Sequence, residues 1–399
     1  MHFLSDIVQF SYSADELRRC LRPNDLWHFG ITKREIESKV QGYSDAFLSS
    51  HCAIAGLKVE NRGDNKIYTP ETVQDALCLR RTNHIIKKAL RTPALNRDDE
   101  MKQLLQVLSG ETNCNIFRTD IQSYFESVSF AEIISGLEID GLRNNCALAH
   151  LRNLNSVLLE RHNCRGLPRG LALSSTLADY ALQGFDRNIF NSDSVVYYTR
   201  YVDDICILHF DEPEVIHSLV EQNLPFNLQL NAGKTQKLVL PSTDSLEFLG
   251  YRIQLNHPQS VSIADTKIGK TKKRIVLSLK AFVGDKDFDL LLARLRFLAC
   301  STRMKKVGRK TLVYTGYRHV YRLCGEEAVA EQLKKLDCFL HGIINSKRFA
   351  LGRSLKCTLN TQQRQQLRTL SFEKHYASSL TFTLNPKSIS AIKRAWQYE

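Results

Sequence analysis

Two short runs of β-branched and aromatic residues lie close together in the middle of the chain. Residues 195–200 read Val-Val-Tyr-Tyr-Thr-Arg, residues 205–208 read Ile-Cys-Ile-Leu, and Tyr-Val-Asp-Asp at residues 201–204 separates them. Runs of this length and composition predict two β-strands, and the short connection predicts a hairpin. The pattern therefore places two adjacent aspartates, Asp203 and Asp204, at a hairpin tip.

The hydrophobic spacing predicts further elements on both sides of this hairpin. Residues 116–121 form a short apolar strand that carries Asp120, and strand patterns also occur at residues 66–70, after a turn-like stretch, and at residues 247–253. From Ser262 onward the strand patterns fade. Apolar residues three and four positions apart predict helices. One helix starts at Ser13, and the others occupy residues 25–40, 71–90, 98–108, 130–162, 174–189, 214–222, 288–300 and 328–344.

Adjacent carboxylates repel each other, so their presence at one hairpin tip needs a physical reason. A turn alone accounts for an isolated Asp-Asp pair, because aspartate is common in tight turns. The alternative is a divalent cation, since Mg²⁺ takes carboxylate oxygens and substrate phosphates. The third carboxylate, Asp120, favours the cation. Carboxylates delivered by two strands suit two metal ions about 3.5–4 Å apart, which clamp the attacking and leaving oxygens of nucleotidyl transfer.

Positive charge is concentrated in one segment. The 399 residues contain 55 Lys and Arg against 42 Asp and Glu, a formal net charge of +13. Residues 267–310 contain fourteen Lys and Arg and three acidic residues, which is most of the surplus. A charge run is often only a solvated face, but this concentration favours contact with a phosphate backbone.

Cysteine usage and hydropathy indicate the cellular compartment. The eleven cysteines show no Cys-x-x-Cys spacing, a pattern typical of a reduced cytoplasmic protein rather than of a disulfide framework or zinc site. The N-terminus lacks the layout of a secretory signal, and no apolar run approaches the length that spans a membrane. We therefore expect a cytoplasmic protein with no membrane partner.

Five blocks of the sequence, in order, resemble those of reverse transcriptases. They are residues 120–125, residues 166–170 (Gly-Leu-Pro-Arg-Gly) with Ser174, residues 201–204, residues 231–235 and residues 248–250. The resemblance spans about a third of the chain and is nearest the bacterial group related to retron, group II intron and antiphage-defence enzymes. It implies an α+β right-hand polymerase with an antiparallel palm sheet backed by helices, a helical thumb and a helical N-terminal extension.

The resemblance also implies a division into domains. The expected parts are a helical N-terminal extension (1–60), fingers (61–112, with 131–165 interleaved), a palm (113–130 and 166–260), a basic helical thumb (261–345) and a C-terminal extension (346–399). The basic side of the thumb is expected to face a template–primer duplex.

Within the resemblance, Asp120, Asp203 and Asp204 are the catalytic carboxylates that hold two Mg²⁺ ions, which Mn²⁺ can replace. The carbonyl of Ile121 would complete one coordination shell. Lys234 matches the position proposed to protonate the departing pyrophosphate, and general-acid help of this kind contributes roughly 10²–10⁴-fold. A solvated turn lysine is the alternative for Lys234.

Phe125 lies five residues after Asp120, at the position that lies under the sugar of the incoming nucleotide in this family. A bulky ring there collides with a ribose 2′-hydroxyl, which implies selection of deoxynucleotides; a core aromatic is the alternative. The other residues assigned to the nucleotide are Arg62, Lys66, Ile121, Tyr124, Arg169 and Gly170. The residues assigned to template and primer are Pro168, Ser174, Tyr201, Phe248, Leu249, Gly250, Lys272, Lys273 and Arg274.

Two positions depart from the family pattern in a way that bears on function. Arg169 stands where bacterial relatives usually carry glutamine, and Ser175 replaces the commoner proline. Arginine adds a fixed charge with a planar donor fork that can grip a phosphate or stack on a base. The departure leaves open whether synthesis depends on a template.

The resemblance implies an RNA-directed DNA polymerase that uses dNTPs to copy an RNA template into nascent DNA. Residues 96–98, 118–121 and 167–171 are most similar to the smaller enzyme of two-polymerase antiphage systems. Such enzymes work with a dedicated noncoding RNA, which implies a structured RNA partner and allows for a second reverse transcriptase subunit. Template-independent DNA synthesis and a catalytically silent RNA-binding scaffold, such as a maturase, are the alternatives.

Overall fold

The computed structural model describes residues 11–48, 54–63, 65–91, 96–110, 113–240, 242, 244–305, 312–378, 381–384 and 386–396. The chain forms two compact units, the first from residues 1–100 and 113–239 and the second from residues 101–112 and 240–399. The ten cysteines in the described part of the chain form no disulfide.

The first unit combines helices with a hairpin and a four-stranded sheet. Its helices are α1 (Ala14–Cys20), α2 (Pro23–His28), α3 (Lys33–Leu48), α4 (Val73–Ala89), the start of α5 (Arg97–Leu108), α6 (Tyr124–Ser127), α7 (Phe130–Ile139), α8 (Asn145–His162), α9 (Ala172–Ala181), α10 (Gln183–Phe190) and α11 (Pro213–Asn223). Its strands are β1 (Leu57–Arg62), β2 (Asn65–Pro70), β3 (Asn115–Asp120), β4 (Val195–Tyr201), β5 (Asp204–His209) and β6 (Gln236–Val239).

The four-stranded sheet has the order β4-β5-β3-β6, and every neighbouring pair is antiparallel. Four successive residues of β5, 205–208, are all buried, so both faces of this inner strand are covered. Helix α11 packs against β3, and α10 packs against β4. An antiparallel sheet backed by helices is the predicted palm architecture, and the α+β class is confirmed.

The N-terminal helices pack on α4 through a separate apolar cluster that includes Leu17, Ile36 and Leu77. The predicted start of α1 is confirmed, since the Ser13 side chain accepts a hydrogen bond from the amide of Glu16. The single helix predicted for residues 25–40 is wrong, because α2 ends at His28 and α3 begins at Lys33.

Other predicted helices are also divided by local breaks. Within residues 130–162 the chain leaves α7 through Gly141, at φ 89°, and Asn144 caps α8 by accepting from the amide of Ala147. Within residues 174–189, Leu182 departs from helical geometry with ψ 3° and separates α9 from α10. A cap or a backbone break therefore ends each helix although the apolar spacing continues.

The second unit contains two small sheets and most of the remaining helices. Its strands are β7 (Ser245–Phe248), β8 (Tyr251–Gln254), β9 (His257–Ile263), β10 (Ser301–Lys305), β11 (Leu312–Thr315) and β12 (Thr381–Leu384). Its helices are the rest of α5, α12 (Asp265–Asp285), α13 (Phe288–Ala299), α14 (Tyr317–Val320), α15 (Glu326–Asn345), α16 (Ala350–Thr358), α17 (Thr361–Thr369), α18 (Phe372–Ala377) and α19 (Pro386–Arg394).

The expectation that strands end near residue 262 is wrong. β10 pairs antiparallel with β11 and parallel with β12, which comes from far along the chain. Each of these strands has only four or five residues, too few for alternation to stand out. The helix-only expectation for the first 60 residues is also wrong, since β1 begins at Leu57.

No helix in the described ranges combines the length and the hydropathy needed to cross a membrane. The predicted fingers, palm and thumb boundaries are functional divisions and stay predictions. The two compact units divide the chain differently, because residues 240–260, predicted as palm, cluster with the second unit.

Candidate active site

Strand pairing brings the three predicted catalytic carboxylates to one place. β3 runs antiparallel to β5, and in that register Asp120 lies opposite Asp204. Opposite residues of an antiparallel pair have Cα atoms about 4.5–5.5 Å apart, with side chains on the same face. The amide of Ile121 donates to the carbonyl oxygen of Asp203 over 3.2 Å and extends the contact to the hairpin tip. The predicted convergence of these residues is present; their catalytic roles stay a prediction.

The hairpin tip holds a strained conformation. Tyr201 pairs with Asp204, and between them Val202 has a left-handed backbone, with φ 62°. This conformation costs a β-branched residue on the order of 1–3 kcal/mol. Arg200 holds the tip, because its Nη1 donates to the Val202 carbonyl oxygen over 2.8 Å while Nε and Nη2 bind the carboxylate of Asp186 at 2.7 and 2.6 Å.

Two basic side chains partly neutralise the carboxylates. Nη2 of Arg118 lies 2.8 Å from Oδ1 of Asp204, and Nζ of Lys234 lies 2.6 Å from Oδ2 of Asp120. Arg118 precedes Asp120 by two residues, so both side chains are on one face of β3 and Arg118 is diagonal to Asp204. Nδ2 of Asn231 also donates to Oδ2 of Asp120, over 3.3 Å.

The remaining negative charge perturbs the hairpin-tip carboxyls. Burial, together with the negative charges of Asp120 and Asp204, raises the pKa of Asp203 to about 6. Burial also raises the pKa of Asp204, against the opposing charge of Arg118. Ionising all three carboxyls is therefore unfavourable without a further cation.

The donor set suits a hard divalent ion, although the side chains do not form a closed ligand cluster. Among the residues that the structure describes, no group of three or more His, Cys, Asp or Glu side chains is arranged to hold a metal ion. Lys234 and Arg118 instead bind oxygens of Asp120 and Asp204. Carboxylate and carbonyl oxygens are the ligands that Mg²⁺ prefers, and the raised pKa of Asp203 reflects negative charge that such an ion would relieve.

The unneutralised negative charge of the three clustered carboxylates predicts that Asp203→Asn stabilises the metal-free protein. The folded-state pKa of Asp203, about 6, lies above the value of about 3.9 in an unfolded chain. The folded state therefore binds the proton more tightly, and stability falls as pH rises from about 4 to about 6 and stays lower above it. Allowing for solvent screening, we expect the variant to gain about 1–2 kcal/mol at pH 7.5 in chelator.

Urea unfolding of parent and variant at several pH values between 4 and 8 measures this effect. Asp193→Asn is the matched control, because Asp193 is an exposed aspartate before the other end of the same hairpin. An Asp203→Asn variant that is less stable than the parent at pH 7.5, or that keeps the parent's pH dependence, would contradict the claim that the charge of Asp203 destabilises the metal-free protein.

The segment after Asp120 turns sharply and leaves Phe125 half-buried. Ser123 has a left-handed backbone, with φ 47°, and the one-turn helix α6 follows. Tyr124 is fully buried and its hydroxyl donates to the carbonyl oxygen of Ala178. Its contact with the nucleotide stays a prediction. The guanidinium carbon of Arg169 lies 5.0 Å from the centroid of the Phe125 ring.

The loop at residues 166–170 is tied to its surroundings through the main chain. The amide of Leu167 donates to the Phe125 carbonyl oxygen, and the amide of Tyr68 donates to the Arg169 carbonyl oxygen, each over 2.7 Å. Gly170 has φ 101°, and a Cβ there would lie 2.6 Å from the Tyr68 carbonyl oxygen, so glycine is required.

Two residues assigned to the template shape this loop from within. Pro168 and Ser174 are both buried, and the Ser174 hydroxyl donates to the Pro168 carbonyl oxygen over 2.6 Å. Their side chains therefore fix the loop. Contact of this segment with a template stays a prediction.

Part of the chain matches a known protein family. Residues 70–253 match the family model described as reverse transcriptase (RNA-dependent DNA polymerase). This match covers just under half of the chain and shows similarity to the reverse transcriptase domain over residues 70–253. The domain contains all three clustered carboxylates, Phe125 and Arg169, and its family is that of RNA-directed DNA polymerases. No curated protein sequence matches the chain.

Similar solved structures include telomerases. Apo telomerase from Candida tropicalis, truncated from its C-terminal domain, gives a TM-score of 0.37 at 12% identity, covering 57% of this chain and 60% of that chain. Telomerase from Candida albicans with a TWJ fragment of telomeric RNA gives 0.37 at 13% identity, covering 85% and 70%. The chain thus spans less than two thirds of the length of the first of these structures.

Two predicted nucleotide contacts lie just before the reverse transcriptase domain, on the β1–β2 hairpin. Arg62 and Lys66 are both exposed near the hairpin turn. Nη2 of Arg62 binds Glu60 at 2.7 Å, within the same strand. A triphosphate contact by Arg62 and Lys66 stays a prediction.

Among the remaining predicted template and primer residues, Tyr201 lies on β4 in the first unit and the others belong to the second unit. Phe248, Leu249 and Gly250 form the turn between β7 and β8, with Phe248 buried and Leu249 and Gly250 at φ 49° and 81°. The basic residues lie on α12, where Lys272 is over the Phe339 ring, Arg274 is over the Trp396 ring and Lys273 is exposed. Their contact with nucleic acid stays a prediction.

Three further residues within residues 70–253 organise the site and were not predicted from the sequence. Arg118 binds Asp204, Arg200 supports the hairpin tip, and Glu126 binds Arg169. Arg118 could have been found, because residues two apart on a strand share a face. The Glu126–Arg169 pair joins residues far apart in sequence, and no local pattern indicates it.

Proposed function

We propose that this chain is an RNA-directed DNA polymerase that extends DNA by two-metal nucleotidyl transfer. The observation that carries the proposal is the register that sets Asp120 opposite Asp204, with Asp203 adjacent, inside a reverse transcriptase domain. Attack of a primer 3′-hydroxyl on the α-phosphate of a dNTP needs positioning and electrostatic stabilisation rather than covalent catalysis. A rigid sheet edge carrying three carboxylates can provide both.

The residues that would hold two Mg²⁺ ions are Asp120, Asp203 and Asp204 with the carbonyl of Ile121, and Mn²⁺ accepts the same oxygen ligands. When bound, the ions stabilise the attacking and leaving oxygens. Arg118 opposes the rise that burial causes in the pKa of Asp204, and its 2.8 Å contact orients that carboxylate. The carboxylates are thereby held in position before substrate binds.

Lys234 would act as the general acid toward the departing pyrophosphate. Its ammonium already lies in the carboxylate cluster, on Asp120, while its side chain is 53% exposed and can reach a neighbouring ligand. A protonated amine has three donors, so it can contact Asp120 and a phosphate oxygen in turn.

Phe125 would select the sugar of the incoming nucleotide. It lies five residues after Asp120 and is half-buried, and its ring would exclude the ribose 2′-hydroxyl.

The partners and setting are proposed from the resemblance and the charge. The basic segment at residues 267–310 supports binding of an RNA template with nascent DNA. The similarity of residues 96–98, 118–121 and 167–171 to antiphage-defence enzymes supports a structured noncoding RNA as template and an antiviral role in the cytoplasm. A second reverse transcriptase subunit is a further partner in such a system.

Homopolymer templates with single labelled nucleotides test the proposal. With poly(rA) and an oligo(dT) primer we expect dTTP alone to be incorporated, and with poly(rC) and oligo(dG) we expect dGTP alone. The same product without regard to template would instead support template-independent synthesis, which the unusual Arg169 leaves open. Tight RNA binding without any product would support a silent scaffold.

A further inference from the structure

We propose that Glu126 and Arg169 form a brace that fixes the ring of Phe125, which makes Arg169 a positioning residue for sugar selection. The inference rests on the proposed function, because Phe125 meets a sugar only in a polymerase. It assigns Arg169 a role different from the phosphate grip or base stacking that its chemistry alone allows.

The first observation is that the guanidinium of Arg169 is held by two contacts. Its Nε and Nη2 both donate to the carboxylate of Glu126, the second over 2.9 Å, while its guanidinium carbon lies 5.0 Å from the Phe125 centroid. A bidentate carboxylate fixes the plane of a guanidinium, which a single contact does not. Arg169 is therefore oriented beside the Phe125 ring rather than extended toward solvent.

The second observation is that the main chain fixes both members of the brace. On one side of the pair, the amide of Leu167 donates to the Phe125 carbonyl oxygen, and the Arg169 carbonyl oxygen accepts from Tyr68 of β2. At Gly166 the loop passes so close to Glu126 that a Cβ would lie 2.6 Å from its carbonyl carbon. The loop at residues 166–170 and the segment that carries Phe125 and Glu126 can therefore keep Glu126 and Arg169 in contact.

The third observation explains why the ring needs this support. Phe125 is on a one-turn helix that follows the left-handed Ser123, and it is only half-buried. Its neighbour Tyr124 is locked in the core by its bond to Ala178, but the core covers only part of Phe125. A ring that selects against one hydroxyl must hold its position closely, because catalytic geometry tolerates shifts of only about 0.5 Å.

The electrostatics favour this role over phosphate binding. The hydrogen bond from Arg169 to Glu126 raises the pKa of the guanidinium, which stays charged, but the adjacent carboxylate offsets that charge. A phosphate approaching Arg169 would meet the negative charge of Glu126 at the same place. The pair thus presents a nearly neutral, planar support to the ring.

Steady-state incorporation of dNTP and rNTP by brace variants tests the inference. Arg169→Gln, Arg169→Lys and Glu126→Gln should each lower the ratio of kcat/KM for dNTP over rNTP by roughly 3–10-fold, because each removes the bidentate pair. The change should fall mainly on kcat/KM for rNTP, which should rise relative to that for dNTP. Glu160→Gln, at an exposed glutamate of α8, is the control and should leave the ratio unchanged.

A double variant separates action through Phe125 from direct contact with substrate. Phe125→Ala should lower the ratio further than any brace variant, and adding Arg169→Gln to it should change the ratio no more. Equal losses of kcat/KM for dNTP and rNTP in Arg169→Gln, with an unchanged ratio, would overturn the inference and indicate a phosphate or template contact.

Hydrogen exchange supplies a readout that does not need activity. In Glu126→Gln the amides of residues 121–128 and 165–170 should exchange at least about 3-fold faster than in the parent, and in Glu160→Gln they should not. Unchanged amide exchange of these residues in Glu126→Gln would overturn the proposal of a Glu126–Arg169 brace. A parent that makes no DNA would contradict the proposed function, and the exchange measurement would still decide on the brace separately.

Discussion

Replacing Asp203 or Asp204 with asparagine is expected to lower kcat/KM for DNA synthesis by at least about 1,000-fold. Asparagine keeps the size of the side chain but removes the charge that would attract divalent ions. Primer extension on poly(rA) with dTTP measures the loss. The same Asp203→Asn protein is expected to be more stable than the parent without metal. Asparagine removes the charge whose burial, together with repulsion from Asp120 and Asp204, raises the pKa of Asp203.

This combination separates a catalytic role from a folding defect. A variant that unfolds would lose activity and stability together, whereas the account expects activity to fall while stability rises. Asp193→Asn, before the other end of the hairpin, should keep parental activity and serves as the control. Continued extension by an Asp203→Asn or Asp204→Asn protein at the parental rate would rule out the proposed mechanism.

Gly166→Ala is expected to give the second large effect, a loss of at least about 100-fold in DNA synthesis with about 1–3 kcal/mol of destabilisation. An added Cβ would lie 2.6 Å from the carbonyl carbon and 2.7 Å from the Cα of Glu126. Both are main-chain atoms, so the loop at residues 166–170 must move as a whole. That movement would break the main-chain bonds from the loop to Phe125 and Tyr68 and displace the segment that follows Asp120, a larger change than loss of the Arg169 side chain alone.

Gly184→Ala is the matched control for this substitution. Gly184 lies in α10, where an added Cβ would have no atom within 4 Å, so alanine should stabilise the helix by up to about 1 kcal/mol. Urea unfolding and primer extension on both variants measure the difference. Parental activity in Gly166→Ala would show that the loop does not position the site.

Local pattern was sufficient to predict the centre of the fold. The apolar runs around Asp203 and Asp204 and the run that carries Asp120 form β4, β5 and β3, and they bring the carboxylates together. Strand identity depends on residue type over only a few positions. Two strands that carry aspartates at their ends are expected to lie together, because a divalent ion would bind both sets of carboxylates. The sequence therefore indicated the site before any geometry was known.

Helix boundaries failed where capping residues override continued apolar spacing. Gly30, at φ 61°, follows the end of α2, and Thr32 exchanges hydrogen bonds with Glu35 before α3. A glycine followed by a Thr-x-x-Glu capping box is readable from sequence, so this break was predictable. The apolar period was given too much weight there.

Contacts between distant segments could not be predicted from local pattern. β12 joins β10 in parallel, and Glu126 meets Arg169 only because main-chain bonds at Leu167 align the two segments. The burial of Tyr124 also depends on α9, which supplies the Ala178 carbonyl oxygen. Each of these contacts needs the tertiary structure.

Counting bound Mn²⁺ by electron paramagnetic resonance, with template–primer and a non-hydrolysable dNTP present, tests the central claim most directly. The account predicts two ions per chain in the parent and fewer, more weakly held ions in Asp120→Asn, because Asp120 lies opposite Asp204 and would share both. A parent that binds no ion at this site, or an Asp120→Asn protein that binds two ions as tightly as the parent, would contradict it.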